Sequence, residues 1–222
     1  MKPATRGPAI SPAFCAIGIL AAFCAAGCGS GRSTKTVMSE KLRTAVQEAR
    51  SGTSFLESQL SAHTMTSDEL KAAKDYIVEH TDSSAYILLM ALRKDAPGIY
   101  AEVPSEVKAQ VLCAALAKVT FLNDFGVLGP SGSHDGEAGK ALLETGESGI
   151  GCLRTLLGDK GDAPLFGSKD ATVSSVYRYR RADFVYRYIM LMRGREPTFP
   201  ADPAERDMLI GKLRKEVGVP GT

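Results

Sequence analysis

From Ser39 onward, apolar residues recur at three- and four-residue spacing, the period of a helix packed on one face. Leu42, Ala45, Val46 and Ala49 set out a first helix that starts near Ser39 and breaks at Gly52, and Phe55, Leu56 and Leu60 carry a short continuation. Thr66-Ser67-Asp68-Glu69 forms a capping box, in which Thr66 caps and Glu69 reaches back. Leu70, Ala73, Tyr76 and Ile77 then mark one helical face as far as about His80. Thr81 to Ser84 signal another start. Ala85 to Leu92 are apolar nearly all round, which belongs to a helix covered on several sides. Pro97-Gly98 ends that segment, and Pro104 suits a first helical position ahead of the stripe Val107, Val111, Leu112, Leu116 and Val119, which runs to about Phe125. Residues 126–136 read as a glycine-rich loop. Short helices follow around Ala141–Leu143, with Gly146 as the stop, and around Ile150–Leu157. One long helix is predicted from about Asp170 to Met192. The last carries Asp202 as cap, Pro203 in its first turn, Glu205 to complete a box and Gly218 at its close. No period-2 strand and no hairpin signal stands out. The pattern predicts an all-α chain, an irregular antiparallel helical bundle, with residues 37–222 as a single domain.

Two stretches invite superposition. Ser84-Ala85-Tyr86-Ile87-Leu88-Leu89-Met90-Ala91-Leu92-Arg93-Lys94-Asp95 and Ser148-Gly149-Ile150-Gly151-Cys152-Leu153-Arg154-Thr155-Leu156-Leu157-Gly158-Asp159 share serine, two leucines and aspartate. With the turn at Gly146, residues 82–159 weakly resemble HEAT-type helix pairs. That resemblance implies a short helical array with a concave face for a partner rather than a catalytic centre.

The first 28 residues have a different texture. Lys2 and Arg6 precede a fifteen-residue apolar run over 13–27, too short for the roughly 20 residues of a spanning helix but suited to a signal peptide. The run ends in Ala25-Ala26-Gly27-Cys28, which resembles the lipobox of bacterial lipoprotein precursors, although Ala25 stands where that family usually has Leu or another larger aliphatic residue. The resemblance implies a signal peptide over 1–27, a diacylglyceryl group on Cys28, and a tether over 28–36 of small polar residues. A secretory signal cut without lipidation, or an uncleaved anchor over 9–28, fits the same residues. By resemblance to lipoproteins of Gram-negative bacteria, Gly29 after the cysteine permits outer-membrane delivery, so both the cell membrane and the outer membrane stay open.

Charge narrows the partners. The formal net charge of +2 over 222 residues is no nucleic-acid footprint. Loss of residues 1–27 removes Lys2 and Arg6 and no acid, which leaves the chain formally neutral, so the lipid would carry the attachment. Cys113 and Cys152 would then meet an oxidising compartment. They either pair or, as their apolar helical settings favour, remain small buried hydrophobes.

Catalytic motifs fail on inspection. A phosphate loop ending in Gly139-Lys140 would need Gly at His134 and Ser or Thr at Ala141. A nucleophile elbow at Ser148 would need Gly at Ile150. His63, His80 and His134 lack metal-ligand spacing, so no metal and no cofactor is expected. The most distinctive segment holds six arginines between 178 and 195 against one acid, Asp183. On a continuous helix, Arg180 and Arg187 both reach Asp183 and form a structural ion network. Arg178, Arg181, Arg193 and Tyr179 are then candidates for an anion-binding surface toward anionic lipid headgroups or an acidic polymer of the envelope.

Together these features predict an exported, lipid-anchored helical protein that acts as an interaction or scaffolding module at the bacterial cell envelope. It would be attached to membrane through its lipid and directed to an envelope protein or acidic polymer, not nucleic acid. The alternative is a periplasmic or secreted enzyme whose site assembles from residues distant in sequence, with His134 and Asp135 as first suspects.

Overall fold

Eleven α-helices account for most of the residues described by the computed structural model, 38–129 and 133–219. The expected leader, Cys28 and tether lie outside the described residues. In chain order the helices are α1 (Glu40–Arg50), α2 (Gln59–Ala62), α3 (Ser67–Glu79), α4 (Tyr86–Asp95), α5 (Pro97–Glu102), α6 (Ser105–Lys118), α7 (Glu137–Leu143), α8 (Glu147–Leu153), α9 (Ser168–Tyr177), α10 (Arg181–Met192) and α11 (Pro203–Glu216). The all-α architecture expected from the periodicity is present. Among the described residues, no helix is long and apolar enough to cross a membrane.

Two helices organise the packing. In α4, every residue from Tyr86 to Leu92 is buried, so this stretch has no solvent face, and the helix is wrapped by α1, α2, α3, α5 and α6. In α10, Ala182 to Ile189 are buried against α7, α8 and α11. Helix α6 touches α4, α7 and α8 and joins the two neighbourhoods into one core. A run apolar on all sides is only stable when other elements cover it, which is why α4 sits where it does.

Local signals explain the starts of α1, α3 and α11. The Ser39 hydroxyl accepts from Leu42 N at 3.4 Å. Thr66 and Glu69 close their reciprocal box. Asp202 accepts from Ala204 N at 2.9 Å, although Glu205 does not complete a box there. Gly52 terminates α1 with a φ of 84°, a left-handed conformation that glycine adopts without strain. Its carbonyl accepts from Thr120 N at 2.8 Å and so ties the end of α1 to the end of α6.

Five further expectations are corrected. Pro104 precedes α6 as its cap, whereas Pro97 both ends α4 and opens α5. Helix α6 stops at Lys118, well before Phe125. The glycine-rich loop contains a minimal antiparallel ladder, β1 (Gly126–Val127) with β2 (His134–Asp135), too short to leave a periodic trace. The long helix over 170–192 is two helices. Residues 161–163 capture its middle: Ala163 N donates to Tyr179 O at 3.0 Å and Arg181 N to Gly161 O at 2.9 Å, and Arg178 turns left-handed at φ 49°. Finally, Cys113 and Cys152 form a disulfide, with Cα atoms 6.2 Å apart, between α6 and α8.

Candidate functional site

A cavity of about 800 Å³ opens where α4, α5, α6 and α7 meet the segment between α1 and α2. Its walls follow from helical spacing. Met90, Arg93 and Lys94 lie at i, i+3 and i+4 on one face of α4, and Pro97, Tyr100 and Ala101 repeat that spacing on α5. Lys108 enters from α6, and Glu137 and Glu144 from two positions seven residues apart along α7 and its end. Phe55 and the exposed Leu56 close one side.

Most of the charged groups here are committed to partners. Arg93 grips Glu144 with two parallel hydrogen bonds, Nη1 to Oε2 at 2.5 Å and Nη2 to Oε1 at 2.7 Å. That clamp holds the Glu144 carboxyl below its ordinary value and the Arg93 guanidinium above its own. Glu137 pairs with Lys140 at 2.7 Å. Lys94 donates to the carbonyls of Leu60, Ser61 and His63 at 3.0, 3.1 and 2.6 Å, which closes the end of α2, and lies 3.4 Å from Asp95. Two groups differ. Lys108 has its ammonium 4.3 Å from the centre of the Tyr100 ring and no ion pair within 4 Å among the described residues. Burial lowers its pKa. Tyr100 is 6% exposed, and among the described residues its hydroxyl donates to no acceptor.

The rim is held by a buried acid. Asp124, 3% exposed, accepts from Phe55 N, from Leu56 N at 3.3 Å and from the Tyr86 hydroxyl at 2.5 Å. Burial raises its carboxyl above the usual carboxylate range, so the native state binds this proton more tightly than the unfolded chain does. The Asp124 contribution is therefore fully present below an unfolded pKa of about 3.9 and is lost as pH rises through the raised native value. Asp124→Asn removes that slope and puts an amide where donors point, at a cost of about 1–3 kcal/mol. Thermal unfolding of both proteins between acidic and neutral pH measures this. A wild-type curve parallel to the variant's would contradict it.

The sequence-derived candidates fall elsewhere. Tyr179 is buried at 2% exposure and stacks on Tyr177 at 5.7 Å, so it offers little surface to an anion. Arg181 donates to the carbonyls of Leu116, Asp162 and Val119 at 3.2, 3.1 and 2.9 Å. Arg193 pairs with Glu216 at 3.3 Å, and Arg178 is exposed beside a smaller cavity of about 390 Å³. The helix break separates these residues from a common face. Asp183 does bind Arg180, at 3.2 Å, but its second partner is Arg206 of α11 at 3.3 Å, whereas Arg187 turns to Asp135. His134 is exposed on β2, and His80 stacks on Tyr76 at 3.9 Å. Among the described residues no cluster of three ligating side chains for a metal occurs. The cavity residues went unnoticed in sequence because they come from five separated segments, although the matched spacing on α4 and α5 was a usable signal.

No protein-family model matches the chain, and neither a curated protein nor a solved structure matches it significantly.

Proposed function

We propose that this chain is an exported, lipid-anchored helical protein whose folded body serves as a binding module at the bacterial cell envelope. The observation that carries the reading is the Cys113–Cys152 disulfide downstream of a leader that ends in a lipobox-like Ala25-Ala26-Gly27-Cys28. A structural disulfide persists in an oxidising compartment and is rare in a reducing cytosol, so it supports export independently of the leader. A binding role, rather than the enzyme alternative, is supported by the state of the cavity's ionisable groups. Arg93 and Glu144 hold each other, Glu137 pairs with Lys140, Lys94 donates to backbone carbonyls, and none of them forms a nucleophile–base pair. The envelope protein or acidic polymer named above remains a proposed partner class for the outer surface.

The test is production of the full chain and its Cys28→Ser variant in a bacterium, followed by detergent phase partition and intact-mass measurement. The wild-type chain is expected in the detergent phase, starting at an acylated Cys28, and the variant in the aqueous phase or unprocessed. A wild-type chain recovered from the aqueous phase without fatty acid would overturn the anchor.

A further inference from the structure

The cavity described above has a chemistry specific enough to name the class of molecule it takes. Most of its wall is apolar: Phe55, Leu56, Met90, Pro97 and Ala101 offer an aliphatic or aromatic surface. A volume of about 800 Å³ lies within the range of sites that bury most of a small ligand. Against this wall the charges nearly cancel. Arg93 is matched by Glu144, Glu137 by Lys140, and Lys94 by Asp95. Among the described residues what is left over is one cation, Lys108, and beside it one buried hydroxyl without an acceptor, Tyr100. Glu144 lies within electrostatic reach of Lys108, but both of its oxygens are engaged by Arg93.

We infer that this cavity binds a single-headed anionic amphiphile of the fatty-acid class, with its aliphatic chain against Phe55, Met90 and Ala101 and its head group between the Lys108 ammonium and the Tyr100 hydroxyl. One surplus positive charge selects one negative charge. An unpartnered hydroxyl donor supplies the second hydrogen bond that a carboxylate accepts. The diacylglyceryl group expected on Cys28 is uncharged, so it would leave Lys108 and Tyr100 unanswered; the occupant is a free molecule. The inference deepens the binding role proposed above, and the anchoring of the chain does not enter it.

The experiment uses the full chain with Cys28→Ser, which cannot carry its own lipid, and three twelve-carbon probes below their micellar concentrations: laurate, dodecanol and dodecyltrimethylammonium. Calorimetric titration is expected to rank laurate first, with dodecanol weaker by about ten-fold or more and the cation weakest. Lys108→Met, which keeps the aliphatic stem, is expected to bring laurate down to the level of dodecanol and leave dodecanol unchanged. Lys108→Arg is expected to restore laurate. Ala101→Trp, which fills the cavity, is expected to weaken laurate and dodecanol together. Melting temperatures of the four proteins separate a lost site from a lost fold. Equal affinity for all three probes, laurate binding that ignores Lys108→Met, or no binding of any probe would overturn the inference. The acyl mass on wild-type Cys28 would still report on the anchor separately.

Discussion

Replacing Asp183 by Ala is expected to destabilise the fold by about 3–5 kcal/mol, read as a lower urea midpoint at unchanged slope. Asp183 sits in the first turn of α10 with its side chain wholly excluded from solvent. Its Oδ2 accepts from Arg180 N at 2.8 Å, which caps the helix against its own dipole. Its Oδ1 faces Arg180 Nη2 at 3.2 Å and the buried Arg206 Nε at 3.3 Å, the latter as an ion pair rather than a hydrogen bond. Arg206 in turn donates to the carbonyls of Pro200, Ala201, Tyr177 and Arg178, at 2.8, 3.0, 2.7 and 3.1 Å. The acid therefore neutralises the guanidinium that ties α11 to the end of α9. Alanine leaves Arg206 charged in a dry site, since only Arg180 keeps a second acid, Asp207, at 2.7 Å. Asp183→Asn, which keeps the cap but not the charge, should lose less. Asp183→Leu combined with Arg206→Met should lose less than Asp183→Ala alone, because no unpaired charge remains buried. A loss below about 1 kcal/mol for Asp183→Ala would mean that water reaches the site and the pair is of the exposed kind.

That same acid marks the limit of what the chain discloses in one dimension. Starts such as Ser39, Thr66–Glu69 and Asp202 were legible because capping involves residues within one turn of each other. The burial of α4 was legible because an all-round apolar run has no other stable place. The break at Arg178 was not, because the groups that interrupt the helix come from residues 161–163 and the carbonyls it releases are caught by Arg206. Periodicity runs through Val173, Tyr177, Phe184 and Tyr188 as though nothing intervened. On a continuous helix Arg187 is a partner for Asp183, whereas the break sends it to Asp135. Gly139 illustrates the opposite case. It permits the Tyr188 hydroxyl to reach Phe125 O, since a Cβ there would collide with both, yet in the sequence it resembles only part of an incomplete phosphate loop. The cavity was hidden for the same reason as the break, since Lys108, Tyr100 and Glu144 become neighbours only once α5, α6 and α7 have packed.

Opening the Cys113–Cys152 bond should cost about 3–4 kcal/mol, since it closes a loop whose ends are 39 residues apart and chain-entropy accounting puts such a loop near the upper part of that range. For a chain of this size the melting temperature should fall by roughly 6–16 °C, either in reductant or in the Cys113→Ala/Cys152→Ala variant. The two settings separate causes. Cys113 is buried in α6 and Cys152 half-buried in α8, so the double alanine variant loses some apolar volume as well as the cross-link, whereas reduction loses the cross-link alone. The variant should therefore be the less stable of the two. The helical, apolar settings that favoured two separate buried thiols are satisfied equally by a bond, because α6 and α8 present those faces to each other. The discriminating measurement is the intact mass of protein alkylated during extraction from the producing cell. No alkyl groups on Cys113 and Cys152 before reduction, and two after it, would place the folded body where disulfides persist. Two alkylated thiols from the start would remove both the predicted stability difference and the support that this bond lends to export.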